Sequence, residues 1–296
     1  MSAFTLRRAV FVAAVCLCAA GAAPSAAQTP EDGCLDASAV ADADVGRHAA
    51  ELSDPALCIT SRDFTENGVA WHLTVIRNLE RPGPVWAVPH DEENEGFWGG
   101  VYGLRRYGGV LVAVENAERR LNDGQDPNQI FAITARAVQV CPGARAPVPD
   151  YVAAFLKDWD TRVPVVGLHS NWDGFLEAGG LGSISVRRSD PKMIPFASPV
   201  AEGRLADEDT VVMLVGSSPP DDDTPALKWM NEHGVHVIYR HTTEDNNGCT
   251  LADYLTLNRL GDYYNLEVER GDPQTQPVLI DLLMTYLEIA PVAPAL

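Results

Sequence analysis

The stretch "GPVWAVPHDEENEGFWGGVYGLRRYGGVLVAVEN", residues 83–116, decides the fold reading. An apolar run at 85–88 has the length of a buried strand, and a second at 110–114 matches it. The segment between them, opening near Glu95, reads as a helix. Two apolar strands joined by a helix make a β-α-β unit, in which the strands run parallel.

The pattern continues in both directions. Strand-like runs are "AWHLTVIRN", "RVPVVGLHS", "GSISVRRS", "DTVVMLVG", "GVHVIYRH" and "YYNLEVERG". Helix-like runs are "DYVAAFLKDWD", "PALKWMNEHG", "LADYLTLNRLG" and "PVLIDLLMTYLEI". Apolar strands interleaved with helices indicate the α/β class: a mostly parallel mixed sheet with helices on both faces. In such sheets ligands gather at the C-terminal ends of the strands. Residues 29–66 read as a polar, cysteine-tethered N-terminal segment with a helix expected in "DASAVADADVGRHAAELS", and 67–296 as the main domain. About 268 residues can bury one sizeable core.

The first residues follow the grammar of an export signal. Arg7 and Arg8 precede an apolar stretch from Ala9 to Ala20 and a small-residue region "APSAAQ", with cleavage expected near Ala27 or Gln28. Residues 1–28 are thus expected to be a signal peptide, and the mature chain periplasmic or secreted, with no stable membrane insertion. Net charge is −19, becoming −21 without the leader's two arginines, so phosphate backbones are repelled and nucleic acid is excluded as a partner. Removing the leader also removes Cys16 and Cys18. Cys34, Cys58, Cys141 and Cys249 remain, an even number in an exported chain, which points to two disulfides. Of three possible connectivities, Cys34–Cys58 with Cys141–Cys249 is preferred. A zinc site made of the four cysteines lacks any C-x-x-C pair.

Three pieces of sequence carry chemistry. His90 leaves the strand at 85–88 and Glu93 follows in an H-x-x-E spacing, so one tight turn can present imidazole and carboxylate to zinc. Alone the spacing is weak and more often describes a histidine paired to a solvated acid. His169 in "VPVVGLHSNWDG" leaves another apolar strand, and two histidines at strand ends can converge on one crevice. Two histidines and a glutamate leave zinc an open position, the catalytic arrangement. Glu267 and Glu269 in "YYNLEVERG" share one face of a strand, where a carboxylate can serve as general base; an exposed acidic face is the plainer alternative. "PPDDDTP" reads as a solvated turn before a helix. No G-x-S-x-G, P-loop or dinucleotide fingerprint is present.

The order H-x-x-E, His, then Glu on a late strand resembles the zinc carboxypeptidase superfamily, including the succinylglutamate desuccinylase and aspartoacylase amidohydrolases, over roughly residues 68–290. The resemblance implies a zinc carboxypeptidase-like, phosphorylase/hydrolase-like fold for the domain at 67–296. It implies His90, Glu93 and His169 as zinc ligands and Glu267 as catalytic base, with Glu269 as fallback. "GQDPNQIF" is similar to the family's Asp-Pro-Asn-Arg segment: Asp126, Pro127 and Asn128 agree, but Gln129 stands where arginine is expected. Asn128 is therefore an expected substrate-binding residue. Glutamine cannot give a carboxylate a charged fork, so another arginine substitutes or no carboxylate is presented there. Arg119, Arg120 and Arg240 are candidates; the pair Arg187–Arg188, after "GGLGSIS", is preferred. The expected function is an exported zinc-dependent amide-bond hydrolase acting on peptides or cell-wall peptide stems. The alternatives are an amidohydrolase of N-acylated amino acids, or an inactive binding protein of the same fold.

Overall fold

The structure, a computed structural model, describes residues 33–141, 143–172, 184–188, 192–221 and 224–292. The expected leader at 1–28 lies outside these residues, as does the start of "GGLGSISVRR", Gly179 to Ser183. The strands are β1 (Leu57–Glu66), β2 (Val69–Asn78), β3 (Val85–Val88), β4 (Val110–Val114), β5 (Val165–Asn171), β6 (Met193–Phe196), β7 (Val211–Gly216), β8 (His236–His241) and β9 (Tyr263–Glu269). The α-helices are α1 (Ala43–Arg47), α2 (Ala49–Leu52), α3 (Asn94–Tyr107), α4 (Ala135–Val140), α5 (Pro149–Phe155), α6 (Pro225–Glu232), α7 (Leu251–Leu257) and α8 (Thr275–Tyr286).

All of these strands join one sheet in the order β1-β2-β4-β3-β5-β9-β7-β8-β6. The opening stretch folds as its pattern demands: β3, α3 and β4 form a β-α-β unit with β3 and β4 parallel. The expectation of a mostly parallel sheet is corrected. Four neighbouring strands, β4-β3-β5-β9, run parallel, as does the pair β7 and β8. But β1 on β2, β2 on β4, β7 on β9 and β6 on β8 are all antiparallel. The sheet is mixed.

Part of the reason lies in a turn. β1 and β2 are joined by Asn67 and Gly68, both with positive φ (51° and 82°), the backbone of a tight two-residue hairpin. β1 falls within residues 29–66, so that segment contributes an edge strand as well as a tether, and its helix is shorter than expected. "GSISVRRS" forms no strand in its described part, residues 184–188; Arg188 N bonds Ser185 O in a turn.

Helices cover both faces, as expected. Phe97, Val101 and Leu104 of α3 pack with Leu227 and Met230 of α6 and with Leu279, Ile280, Leu283 and Met284 of α8 on one side. Tyr151 and Phe155 of α5 and Leu251 and Leu255 of α7 cover the other, against Trp71, Leu73 and Val75 of β2. Each fully buried large apolar side chain contributes roughly 1.5–3 kcal/mol. α3 approaches the sheet closely through glycine. A Cβ at Gly96 would lie 2.7 Å from Leu168 O, and one at Gly103 2.8 Å from the Trp86 ring. The first turn of α3 is therefore held against β5, one residue short of His169. Disulfides join Cys34 to Cys58 and Cys141 to Cys249, the preferred pairing. Among the described residues no helix is long and apolar enough to cross a membrane.

Candidate metal centre

β3 ends at Val88, and Pro89 leads to His90 just past its C-terminal end. A turn closed by Glu93 N to His90 O, 3.2 Å, then sets Glu93 at the N-cap of α3. A glutamate there makes no cap bond with its side chain. Its carboxylate is turned away from the helix. Oε1 lies 2.9 Å from His90 Nδ1 and Oε2 2.8 Å from His169 Nδ1. Ser170 N also donates to Oε2 at 3.2 Å, and Arg120 donates to Oε1 at 2.9 Å. His169 comes from β5, the neighbour of β3, and the two imidazoles sit 5.0 Å apart, edge to face. All three side chains are buried, and one ligand atom from each lies within 4.8 Å of the others.

The hydrogen bonds settle how His90 is oriented. Its Nε2 lies 2.8 Å from Asp126 Oδ1, so that nitrogen carries the proton and Nδ1 is the atom that could hold a metal. A neutral His90 would then aim the Nδ1 lone pair at a carboxylate oxygen. Two acceptors 2.9 Å apart require a cation between them. A proton can serve: burial opposes ionisation, but the Glu93 charge and the bonds to Asp126 and Glu93 outweigh it and raise His90 to about 9. Glu93 is held well below the ordinary carboxylate range by the imidazoles at His90 and His169, against a burial penalty. A divalent metal can replace that proton. Two imidazole nitrogens and a carboxylate oxygen form a donor set that suits zinc. His169 Nε2, buried without a partner among the described residues, leaves this ring less constrained than His90. Its backbone is held instead, since Gln276 of α8 donates to His169 O at 2.8 Å.

Glu267 stands beside the group for a reason of register. On parallel β5 and β9, Glu267 is the Cα partner of His169. It is buried, accepts from Asn265 Nδ2 at 3.0 Å and lines the same cleft as His90, Glu93 and His169. Burial is the main influence raising its pKa; nearby His169 opposes this and Glu93 adds to it. Glu269 is the Cα partner of Asn171 at the strand end, half-buried and not part of the cleft lining.

The cleft has a volume of about 410 Å³. Asn128 and Gln129 line it; Arg187 and Arg188 do not. Arg187 is mostly exposed and pairs with Glu208 at 2.6 Å, drawn to a partner supplied by the segment before β7. The arginines in the wall are Arg120, Arg240 and Arg270. Two contributors escaped the sequence reading. Asp126 was visible in the "DPN" match, but its role as the brace of His90 was not. Arg270 lies three residues beyond Glu267; its guanidinium sits 4.6 Å from the Trp172 ring and bonds Glu92 at 3.1 Å.

No family model and no curated protein matches this chain. Among solved structures the chain is similar to a "putative metallopeptidase" from Shewanella amazonensis. The identity is 14% and the TM-score 0.43, with 84% of this chain and 92% of that one covered. At that distance the chemistry has to be argued from the site's own residues.

Proposed function

We propose that this chain is an exported, zinc-dependent amide-bond hydrolase of carboxypeptidase-like chemistry, acting on peptides or cell-wall peptide stems. The observation that supports it most is the meeting of three buried ligand atoms within 4.8 Å, with Glu267 paired to His169 across the adjoining strands. In this reading His90, Glu93 and His169 hold the ion. Bound zinc supplies Lewis-acid polarisation of a substrate carbonyl. Glu267 accepts the proton of the attacking water and returns it to the leaving amine. Its burial favours the protonated form, which suits the second half of that exchange. Asn128 offers its amide to the substrate from the wall, and Arg120 offsets the negative charge of Glu93 and Asp126. The second reading is an amidohydrolase of N-acylated amino acids, whose carboxylate would need an arginine elsewhere in the wall because Gln129 is uncharged.

The test couples metal content to turnover. Purified protein should carry one equivalent of zinc, lost in His90→Ala and in His169→Ala. Zinc-loaded protein incubated with a peptide and muropeptide pool should release products detectable by mass spectrometry, and Glu267→Gln should keep the metal while losing that activity. Hydrolysis at the parental rate in both Glu267→Gln and Glu269→Gln would refute the assigned base. Zinc binding without turnover of any amide would favour a binding protein.

A further inference from the structure

One aromatic side chain of the cleft is not used by the hydrolytic reading. Trp172 directly follows β5, three residues beyond His169, and lines the cleft. Among the described residues it is the one exposed aromatic side chain, at 56%. An indole left in water forfeits the burial that normally places it in a core or an interface. Trp172 is nonetheless held in place. The Arg270 guanidinium lies 4.6 Å from the ring centroid, where a cation is attracted by the negative face of the π system. Arg270 is itself pinned: its backbone N donates to Asn171 O at 2.7 Å, and NH2 donates to Glu92 Oε1 at 3.1 Å. One face of the indole is thereby backed by a fixed cation, and the exposed area of the ring is left to a ligand.

Polar side chains accompany it. Glu92, Ser170 and Arg270 line the same cleft, and Glu92 Oε2, Ser170 Oγ and Arg270 Nε are buried with no hydrogen-bond partner among the described residues. An aromatic or aliphatic ligand group stacked on the indole would leave these atoms unanswered, which costs free energy. A pyranose ring meets both demands. Its C–H face packs on a π face, and its rim of hydroxyls both donates and accepts. The net charge of −19 disfavours a nucleobase carried on a phosphate backbone. Distance adds a constraint. Three residues from His169 to Trp172 span at most about 11 Å, the length of about three extended residues of a bound peptide. A stem of that length can bridge a sugar on the indole and the candidate metal centre.

We propose that Trp172, backed by Arg270, is a stacking platform for a sugar ring, so that the cleft takes peptide stems still joined to their glycan. The inference rests on the hydrolase reading for what becomes of the stem, but the sugar contact requires no metal. The probes are a free cell-wall tripeptide and the same tripeptide on its N-acetylated disaccharide. Both are titrated calorimetrically into zinc-loaded wild type and into the metal-free His90→Ala protein. Each protein should bind the glycan-linked probe about tenfold more tightly than the free tripeptide, as expected for one stacked ring with its hydroxyls bonded. Trp172→Ala should abolish that difference while leaving affinity for the free tripeptide unchanged, and Trp172→Phe, with a smaller flat face, should keep part of it. Because the side chain is mostly exposed, the unfolding curves of both variants should match wild type. Equal affinity for the two probes in wild type, no saturable binding of the glycan-linked probe, or a difference that survives in Trp172→Ala overturns the proposal. So does tighter binding of a phenylalanine-containing tripeptide than of the glycan-linked one, which would make the indole a subsite for side chains. The two readings fail separately: lack of zinc binding removes the hydrolase and leaves the sugar preference, whereas loss of the preference leaves zinc binding and turnover of free peptides in place.

Discussion

Replacing Asp126 by asparagine isolates the contribution of charge to the centre while keeping shape. Asp126 Oδ1 lies 2.8 Å from His90 Nε2 and accepts from Asn128 N at 2.9 Å. An asparagine oxygen can accept from both. What disappears is the negative charge, which makes the imidazole a better donor through Nδ1 and locks the tautomer that exposes it. Carboxylates in this position behind a metal-bound histidine typically contribute 10- to 100-fold in affinity, about 1.4–2.7 kcal/mol. Asp126→Asn should therefore raise the zinc Kd by about 10- to 100-fold without abolishing binding, whereas His90→Ala should abolish it. The fold should be spared, because Arg120 retains its bond to Glu93 and Tyr151 still holds Pro127 O at 3.0 Å. Competition against a chromophoric chelator near neutral pH, with unfolding curves on the metal-free proteins, measures both quantities. Parental zinc affinity in Asp126→Asn would refute the claim that His90 is a ligand braced from behind. A collapse in stability of the metal-free variant would instead show that Asp126 holds the fold.

Gly96→Ala should cost about 1–3 kcal/mol and weaken zinc binding as well, because its Cβ meets Leu168 O at 2.7 Å and levers α3 off β5. Gly46→Ala in α1 meets nothing within 4 Å, so chemical denaturation should show it slightly stabilised, by about 0.5–1 kcal/mol. Removing Cys141–Cys249, which spans 108 residues, should cost about 4.8 kcal/mol against about 3.5 for Cys34–Cys58, which spans 24, if chain entropy dominates. Paired cysteine-to-alanine variants in urea would rank them. Asp44 is raised to about 7, chiefly by burial and despite Arg47. The folded state therefore holds a proton that the unfolded chain releases near pH 4, and stability should fall as pH rises from about 4 to 7, by roughly 2–4 kcal/mol. Asp44→Asn should flatten that slope, and an unchanged slope would contradict the assignment.

The sequence made strand ends legible more readily than strand directions. "VWAV" and the "VVGL" that opens "VVGLHSN" read as strands because both faces are covered and the runs are apolar, and the histidines were then found where the chain leaves or nears the end of each run. That same continuous burial concealed the error in topology. "VVMLVG" of β7 is as apolar as β5, yet it runs antiparallel to β9. Burial on both faces makes an apolar run, and direction depends on connections that local pattern does not encode. β1 was missed because its polar half, "TSRDFTE", alternates at a sheet edge, with half-buried and exposed positions in turn; the Asn67–Gly68 turn was the available signal. Among the arginines, adjacency to a glycine-rich stretch of sequence favoured Arg187 and Arg188. Their position was set by Glu208 and a turn, neither of which shows as a spacing.

The candidate residues all belong to one part of the mixed sheet, and that bears on how the site can be tested. His90 and His169 come from adjacent parallel strands, and Glu267 from the next. Their relative positions are thus fixed by backbone registers buried on both faces. Glu93 is different. It reaches the imidazoles only because α3 starts directly after the turn and because Gly96 lets that first turn touch Leu168. A perturbation that moves α3 should therefore change metal affinity while leaving His169 and Glu267 paired, whereas one in α8 at Gln276 acts through the His169 carbonyl. Gln276→Ala should weaken zinc binding by less than Gly96→Ala, since β5 stays pinned between β3 and β9 after the side chain is lost. Zinc titration of the two variants would decide it. A larger effect at Gln276 would mean that β5, and not the helix, is the mobile partner in assembling the centre.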